Sequence, residues 1–235
     1  MISATTISPL NRRIVDGGAP PFSFGNALQF DGVNDYVSFT AINNGDVNHT
    51  HSFWIKLIST PSGFNIAFLR SNSSFSSYIG LNGATVIRYR VNAVADFTVP
   101  TMTTNVWYHV VITYVSDSGA RLYFNGVEST TGLISGLQNY ELDEIGRYAS
   151  GAINGSKIMD EIATWNTALS ATDIANLYNS GNGDFATNYS PANLQAYWRM
   201  NESGTATTAV NSGSGGATYD GTLTNFPTSG MWVAH

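Results

Sequence analysis

The 235-residue sequence contains no cysteine, which excludes disulfide bonds, cysteine nucleophiles and cysteine-ligated zinc. Only 11% of its residues are charged, and its ten basic residues are scattered, so no basic stripe is present to neutralise nucleic-acid phosphates. No apolar run reaches the roughly 18 residues that a membrane span needs, and no secretory signal opens the chain. The sequence therefore predicts a soluble protein that neither binds nucleic acid nor inserts into a membrane.

Glycine and aromatic residues are plentiful, with 23 Gly, 12 Tyr, 12 Phe and 5 Trp, and this composition favours β structure. A chain of this length is better suited to one large sandwich domain than to two small ones. Alternation of apolar and polar residues predicts nine strands, at residues 27–30, 36–39, 52–58, 65–69, 85–91, 107–115, 121–124, 141–145 and 157–165. Residues 194–200 are predicted to start another strand.

One stretch reads as a helix, near residues 171–179. Ser170 can cap its start, with Asp173 completing a short capping box, and Gly181 lies where a left-handed residue could end it. The predicted apolar face consists of Ile174, Leu177 and Tyr178. A single short helix in a β-rich chain is expected to cover one end of a sandwich.

Residues 1–25 differ from the rest of the sequence. Residues 3–9 are polar and irregular, and the Gly-Gly-Ala-Pro-Pro stretch at 17–21 cannot continue regular structure. The sequence predicts an N-terminal arm, with two alternatives: the arm is disordered, or it docks on a neighbouring subunit.

Five pieces of the sequence, taken in order, carry a family resemblance. They are Ala-Leu-Gln-Phe-Asp-Gly-Val-Asn-Asp-Tyr-Val at 27–37, Ser-Phe-Trp-Ile-Lys at 52–56, Trp-Tyr-His-Val-Val-Ile-Thr-Tyr at 107–114, Leu-Tyr-Phe-Asn-Gly-Val at 122–127 and Met-Asp-Glu-Ile-Ala-Thr-Trp-Asn-Thr-Ala-Leu-Ser at 159–170. Together they resemble the laminin-G-like jelly rolls of the concanavalin A-like lectin and glucanase superfamily, to which pentraxins belong. The resemblance covers about residues 26–181 and implies an all-β jelly-roll sandwich of two antiparallel sheets.

The C-terminal segment departs from this family order. Residues 197–204 and 219–225 look like the segment that normally opens such a domain, yet here they come last. Either a second repeat is cut short, or the chain is circularly permuted. A half repeat would leave Trp198, Leu223 and Trp232 without a core to enter. The sequence therefore favours one domain over 26–235, with residues 194–226 supplying strands that usually open it.

The superfamily includes glucanases, and retaining glycoside hydrolysis needs two carboxyl groups about 5 Å apart on one surface. The resembled glucanases use Glu-x-Asp-x-Glu, but the nearest stretch here places Glu141 and Asp143 on one strand face and Glu144 on the other. Asp160 and Glu161 are adjacent in a strand, which predicts that their side chains point in opposite directions. No Ser-His-Asp order appears, and the His-Thr-His stretch at 49–51 is a weak metal signal. The sequence predicts a protein that is not an enzyme.

A structural Ca²⁺ ion is a possible cofactor. The two regions that correspond to the pentraxin calcium site, 70–74 and 147–154, contain no carboxylate. The resemblance places the strands before Asp31 and around Asp160 side by side, so these two carboxylates could share an ion. Alternatively, Asp31 and Asp35 only shape a turn by accepting backbone N–H bonds.

Two loops have the chemistry of a shallow sugar site, and the resemblance places them near each other. The candidate contact residues are Asn72, Phe75, Tyr78, Arg147 and Tyr148, and the alternative is ordinary loop polarity. Trp54, Trp107, Trp165 and Trp198 lie inside strand patterns and are expected to pack in the core or on a sheet face.

The leading hypothesis is a non-enzymatic recognition module that binds cell-surface or environmental glycans. The missing secretory signal, the neutral polar composition and the arm suggest a virion surface location, as in a phage decoration or fibre protein. Its other expected partners are virion or assembly subunits, contacted through the arm in a homo-oligomer. A purely structural assembly protein is the alternative, and a glycoside hydrolase using Glu141 and Asp143 ranks third.

Overall fold

The computed structural model describes residues 23–43, 48–60, 64–70, 77–91, 93–116, 118–129, 141–147 and 155–235. These ranges hold sixteen strands in two antiparallel eight-stranded sheets, together with one short α-helix. The predicted all-β jelly-roll sandwich is confirmed. No helix in the described ranges has the length and apolarity that crossing a membrane would require.

The first sheet has the strand order β10-β9-β8-β3-β12-β1-β16, and β13 also pairs with β12. Its strands are β1 (Asn26–Phe30), β3 (His49–Leu57), β8 (Trp107–Val115), β9 (Gly119–Phe124), β10 (Val127–Glu128), β12 (Lys157–Trp165), β13 (Leu194–Trp198) and β16 (Trp232–Ala234).

The second sheet has the order β14-β15-β2-β11-β4-β5-β6-β7. Its strands are β2 (Tyr36–Asn43), β4 (Phe64–Arg70), β5 (Ser77–Asn82), β6 (Val86–Val91), β7 (Ala93–Thr98), β11 (Glu141–Ile145), β14 (Thr208–Ala209) and β15 (Gly221–Thr224).

The main core lies between the two sheets and follows from the period-two alternation of their strands. Phe53 and Ile55 of β3, and Val37 of β2, are fully buried in it. Ser38, which follows Val37, points to the other face of its sheet and is partly exposed. Each such apolar side chain contributes about 1.5–3 kcal/mol on burial. Of the four tryptophans expected to pack, Trp54, Trp165 and Trp198 are buried and Trp107 is partly exposed.

The helix α1 (Ala171–Tyr178) builds a second, smaller core on the outer face of the first sheet. Ser170 Oγ accepts the Asp173 N–H at 3.1 Å, and the predicted capping box is present. The left-handed residue at its C-terminal end is Asn179, two residues before the predicted Gly181. Ile174 and Leu177 form the buried side of the helix, and they pack in one cluster with Val111, Tyr123 and Trp165.

The C-terminal segment adds strands to both sheets. β13 pairs with β12, β15 pairs with β2, and β16 pairs with β1. Trp198 of β13 is 1% exposed, contacts Phe39 with ring centroids 4.5 Å apart, and donates its indole N–H to the Tyr219 carbonyl at 2.8 Å. Residues 194–234 therefore close the same sandwich that residues 26–165 begin.

Replacing Trp198 with Ala should lower the free energy of unfolding by about 3–5 kcal/mol, because the substitution leaves a cavity in the main core. Urea denaturation would measure the loss, with Val210→Ala as a control, since Val210 is 51% exposed in the same segment. A change of under about 1 kcal/mol in the Trp198 variant would contradict a shared core.

Candidate functional site

A row of directly paired residues crosses all eight strands of the second sheet on the face opposite the main core. Directly paired residues in an antiparallel sheet share one face. The flanking Val37, Ile79 and Ile145 belong to the main core, which places the row on the outside. In strand order its members are Thr208, Thr222, Ser38, Glu144, Arg70, Tyr78, Arg90 and Val94.

At the centre of this row, the carboxylate of Glu144 binds two arginines. Arg70 donates Nε–H to Oε2 at 2.7 Å and places Nη2 2.5 Å from the same oxygen. Arg147 donates Nη2–H to Oε1 at 2.6 Å and Nε–H to Oε2 at 3.0 Å. The hydrogen bond to Glu144 raises the pKa of Arg147, so this guanidinium stays charged. One buried carboxylate is thus shared by two guanidinium groups.

Beside this cluster, Arg147 stacks on Tyr36. The guanidinium carbon lies 3.4 Å from the ring centroid, a close cation–π contact, and 19% of the Arg147 side chain is exposed. Strand pairing adds Ser38, Thr222 and Thr224 to the same surface. We call these five residues the Tyr36 patch. It combines an aromatic ring, a cation held by two hydrogen bonds and three hydroxyl groups.

Farther along the face, Arg88 binds Asp96 through two hydrogen bonds of 2.6 Å each. The hydrogen bond to Asp96 raises the pKa of Arg88 above its ordinary value. Arg90 lies over the ring of Tyr78, with 5.9 Å from the guanidinium to the centroid. Arg70, Arg88, Arg90 and Arg147 thus share this outer face with the acids Glu141, Asp143, Glu144 and Asp96. The four arginines balance the four acids on this face, although the chain has a formal net charge of -6.

The structure brings two of the five predicted sugar-contact residues to one face. Arg147 and Tyr78 are linked through Glu144 and Arg70, since Glu144 pairs with Arg70 and Arg70 with Tyr78. Tyr78 is only 3% exposed, so its ring supports the face and offers no stacking surface. The remaining three, Asn72, Phe75 and Tyr148, lie outside the described residues.

Sequence reasoning missed Tyr36 as a site residue. The signal was present in the Tyr-Val-Ser-Phe stretch at 36–39, because an inward Val37 and Phe39 require an outward Tyr36 and Ser38. Its pairing with Arg147 could not be read from the sequence, because it depends on where the chain leaves β11.

The predicted metal pair, Asp31 and Asp160, does not come together. In the antiparallel register of β1 and β12, Phe30 pairs with Lys157 and Leu28 pairs with Met159. Extending this register by one residue puts Asp160 opposite residue 27, which is four residues from Asp31 along the strand. Asp31 Oδ1 accepts the Val33 N–H at 2.7 Å, and the Asp31 N–H binds Asp35 Oδ2 at 2.8 Å, as expected of turn residues. Within the described ranges, no three His, Cys, Asp or Glu side chains cluster in a way that could hold a metal.

The expectation that Asp160 and Glu161 point in opposite directions is wrong, because β12 contains a bulge. Pairing with β3 shifts between Asp160 and Ala163, and Glu161 has a left-handed φ of 48°. Met159 and Ile162 both enter the main core, which leaves the two acids between them on the other face.

Both acids of this bulge are buried by neighbouring side chains. Asp160 lies 2.6 Å from His235 Nδ1, while Glu161 accepts hydrogen bonds from the Tyr197 hydroxyl and from Arg199 Nε. Burial raises the pKa of Glu161 to about 7 and also raises that of Asp160. With Asp160 fully buried and Glu161 6% exposed, neither carboxyl group is open to a polymer substrate.

The carboxylates of β11 also depart from their predicted faces. The register shifts between Leu142 and Glu144, and both Leu142 and Ile145 enter the core. Asp143 and Glu144 are therefore consecutive outward residues, whereas Glu144 was expected on the opposite face. Since Glu144 is 2% exposed and bound by two arginines, it does not complete the glucanase pattern.

Comparisons with known proteins agree with this architecture. The family model described as concanavalin A-like lectin/glucanases superfamily matches residues 31–175. A candidate carbohydrate-binding protein from Bacteroides ovatus is similar in structure, with a TM-score of 0.61 and 20% identity over 91% of this chain. This chain covers 62% of that protein's length. A search of curated protein sequences finds no significant match.

Two further solved structures are similar to part of this chain. The sialidase of Trypanosoma rangeli, in complex with 2,3-difluorosialic acid, has a TM-score of 0.50 and 16% identity, covering 66% of this chain and 28% of the sialidase. A heptameric pentraxin from Limulus polyphemus has a TM-score of 0.49 and 12% identity, covering 66% of this chain and 82% of the pentraxin. At identities this low, the similarity to the Bacteroides ovatus protein and to the sialidase shows a common fold and nothing about ligands.

Replacing Glu144 with Gln should lower the free energy of unfolding by about 3 kcal/mol, because it removes the buried carboxylate that binds both Arg70 and Arg147. The matched control is Glu128→Gln, whose partner Arg121 is 2.5 Å away but 51% exposed, and which should change stability by no more than about 0.5 kcal/mol. Equal effects from the two substitutions in urea denaturation would show that the central cluster is not energetically special.

Proposed function

Because the chain belongs to the concanavalin A-like lectin/glucanases superfamily, we propose that it is a non-enzymatic carbohydrate-binding module that binds saccharides at the Tyr36 patch. The observation that carries this proposal is the Arg147 guanidinium, held by Glu144 over the ring of Tyr36 at a partly exposed position. The similarity in fold to a candidate carbohydrate-binding protein supports it.

The patch offers each contact that a saccharide uses. Arg147 donates its Nε–H and one Nη2–H to Glu144. Its Nη1–H donors have no protein partner among the described residues, so they are available to a ligand. The Tyr36 ring presents apolar surface beside them, and Ser38, Thr222 and Thr224 present hydroxyl groups that both donate and accept. Because Arg147 is already held in place, little side-chain entropy is lost on binding.

The exposed part of the Arg147 guanidinium favours acidic saccharides, such as those containing uronic or sialic acids. A guanidinium binds a carboxylate through charge-assisted hydrogen bonds, which are about twice as strong as neutral ones. Arg90 supplies a further cation on the same face, where an oligosaccharide longer than one residue could reach it. A neutral glycan would leave both cations without an anionic partner from the ligand.

On an array of acidic and neutral glycans, the protein should bind acidic members, and binding should weaken as salt rises. Tyr36→Ala and Arg147→Ala should each reduce the affinity about tenfold or more, because each loses a contact to a charged or stacked group. Arg121→Ala is the control, since Arg121 is exposed on the first sheet.

An array that stays blank with and without calcium would contradict the lectin function and leave the structural alternative. Release of reducing ends from β-glucans, abolished by replacing Glu141 and Asp143, would instead show a hydrolase.

We further propose that the module acts on the surface of a virion, within a homo-oligomer assembled through its N-terminal residues. This proposal is supported by the low content of charged residues and by the proline- and glycine-rich segment that precedes the first strand. A particle surface would present many copies of the Tyr36 patch, and multivalency raises the avidity of weak individual sites.

Deleting residues 1–22 should reduce the oligomer to monomers, as measured by light scattering, while leaving the sandwich folded. The boundary keeps Phe24, whose ring stacks on His235 at 3.6 Å, and Gly25, whose carbonyl accepts the His235 N–H at 3.1 Å. An unchanged oligomer size would contradict assembly through these residues, and retained glycan binding by the deletion variant would show that the two roles are separate.

A further inference from the structure

Lys157 opens strand β12 and is fully buried, although it carries one of the chain's two lysine ammonium groups. Its Nζ donates to the carbonyl of Gly146 at 2.6 Å and to that of Gly155 at 3.3 Å. It also lies 5.0 Å from the centroid of Phe30, the residue paired with it across the sheet. Burying an ammonium group is costly unless oxygen atoms surround it.

Two carboxylates supply the opposing charge. Asp35 is 2% exposed, and its Oδ1 has no hydrogen-bond donor among the described residues. Burial raises the pKa of Asp35 to about 6 and lowers that of Lys157 to about 7, while the charges of Asp35 and Asp31 favour the protonated lysine. Carbonyl and carboxylate oxygens are the ligands that Ca²⁺ takes in proteins, so Lys157 sits in an oxygen-rich environment suited to a cation.

The same ammonium group fixes the backbone immediately before Arg147. Gly146 has a φ of +102°, and a Cβ there would lie 2.1 Å from Phe30 Cε1, so only glycine fits. The Gly146 N–H donates to the Phe68 carbonyl at 3.0 Å, and the Gly146 carbonyl accepts from Lys157 Nζ. Both backbone polar groups of Gly146 are therefore fixed by hydrogen bonds. Arg147 follows directly, and its position over Tyr36 depends on this anchor.

We propose that Lys157 is a built-in cation that replaces a structural metal ion at the Asp31–Asp35 turn and that positions Arg147 for ligand binding. The ammonium contacts three parts of the chain: the Phe30 ring at the end of β1, the Gly146 carbonyl after β11, and the Gly155 carbonyl before β12. The part that concerns ligand binding rests on the proposed function, whereas the cation site and the placement of Arg147 do not.

The first test uses the unmodified protein labelled with ¹³C at lysine Cε, which gives two signals because the chain has two lysines. Lys56→Met assigns them. At about pH 6, below the lowered pKa of about 7, the Lys157 signal should be that of a charged ammonium group, and added Ca²⁺ should not move the backbone amide signals of residues 31–35. A neutral amine signal from Lys157 at that pH, or a Ca²⁺-dependent shift at residues 31–35, would overturn the built-in cation.

The second test follows the Nε–H signal of Arg147 in ¹⁵N spectra, assigned by its loss in Arg147→Lys. Lys157→Met should remove or broaden this signal and weaken binding of an acidic oligosaccharide from the array by about fivefold or more, whereas Lys56→Met should do neither. An unchanged Nε–H signal in a folded Lys157→Met protein would overturn the positioning role. If no glycan binds the unmodified protein, the proposed function fails, but the Nε–H signal still decides the role of Lys157.

Discussion

The outer face of the second sheet depends on one carboxylate. Glu144 is nearly inaccessible to solvent, and without it Arg70 would be a buried cation with its main anionic partner removed. By accepting from both arginines, Glu144 also holds Arg147 at the edge of the cluster, where part of the guanidinium remains exposed. Glu144 therefore both balances the charge of the buried Arg70 and orients the partly exposed Arg147 beside Tyr36.

Two β-bulges determine where the acidic residues of the sandwich lie. In β11 and in β12, a register shift turns two consecutive acids onto one face, away from the main core. The outcome differs because their neighbours differ: Glu144 meets arginines of its own sheet, while Asp160 and Glu161 are covered by side chains from the C-terminal segment. Strict alternation would have placed one acid of each pair in the core, where no partner could reach it.

Local sequence patterns predicted much of the fold but little of the candidate site. The nine predicted strands and the Ser170 cap follow from side-chain periodicity and backbone hydrogen bonding, which act over a few residues. β5 and β7 were missed, since the apolar residues Tyr78 and Val94 at outward positions obscure their alternation, and the short strands β10, β14 and β16 were missed as well. The separation of Asp31 from Asp160 depends on strand register, and the pairing of Tyr36 with Arg147 depends on a glycine turn, so neither is encoded in a short stretch of sequence.

The C-terminal strands matter to the candidate site as well as to the core. β15 lies beside β2, which places Thr222 opposite Ser38 and Thr224 opposite Tyr36. Without that strand, β2 would be an edge with unpaired backbone groups next to Tyr36, and water or another chain would compete for them. Residues 221–224 thus protect the strand that carries Tyr36 and supply two of the three hydroxyl groups around it. The family resemblance ends near residue 181, so this rim of the site is built by the segment in which the chain departs from the usual order.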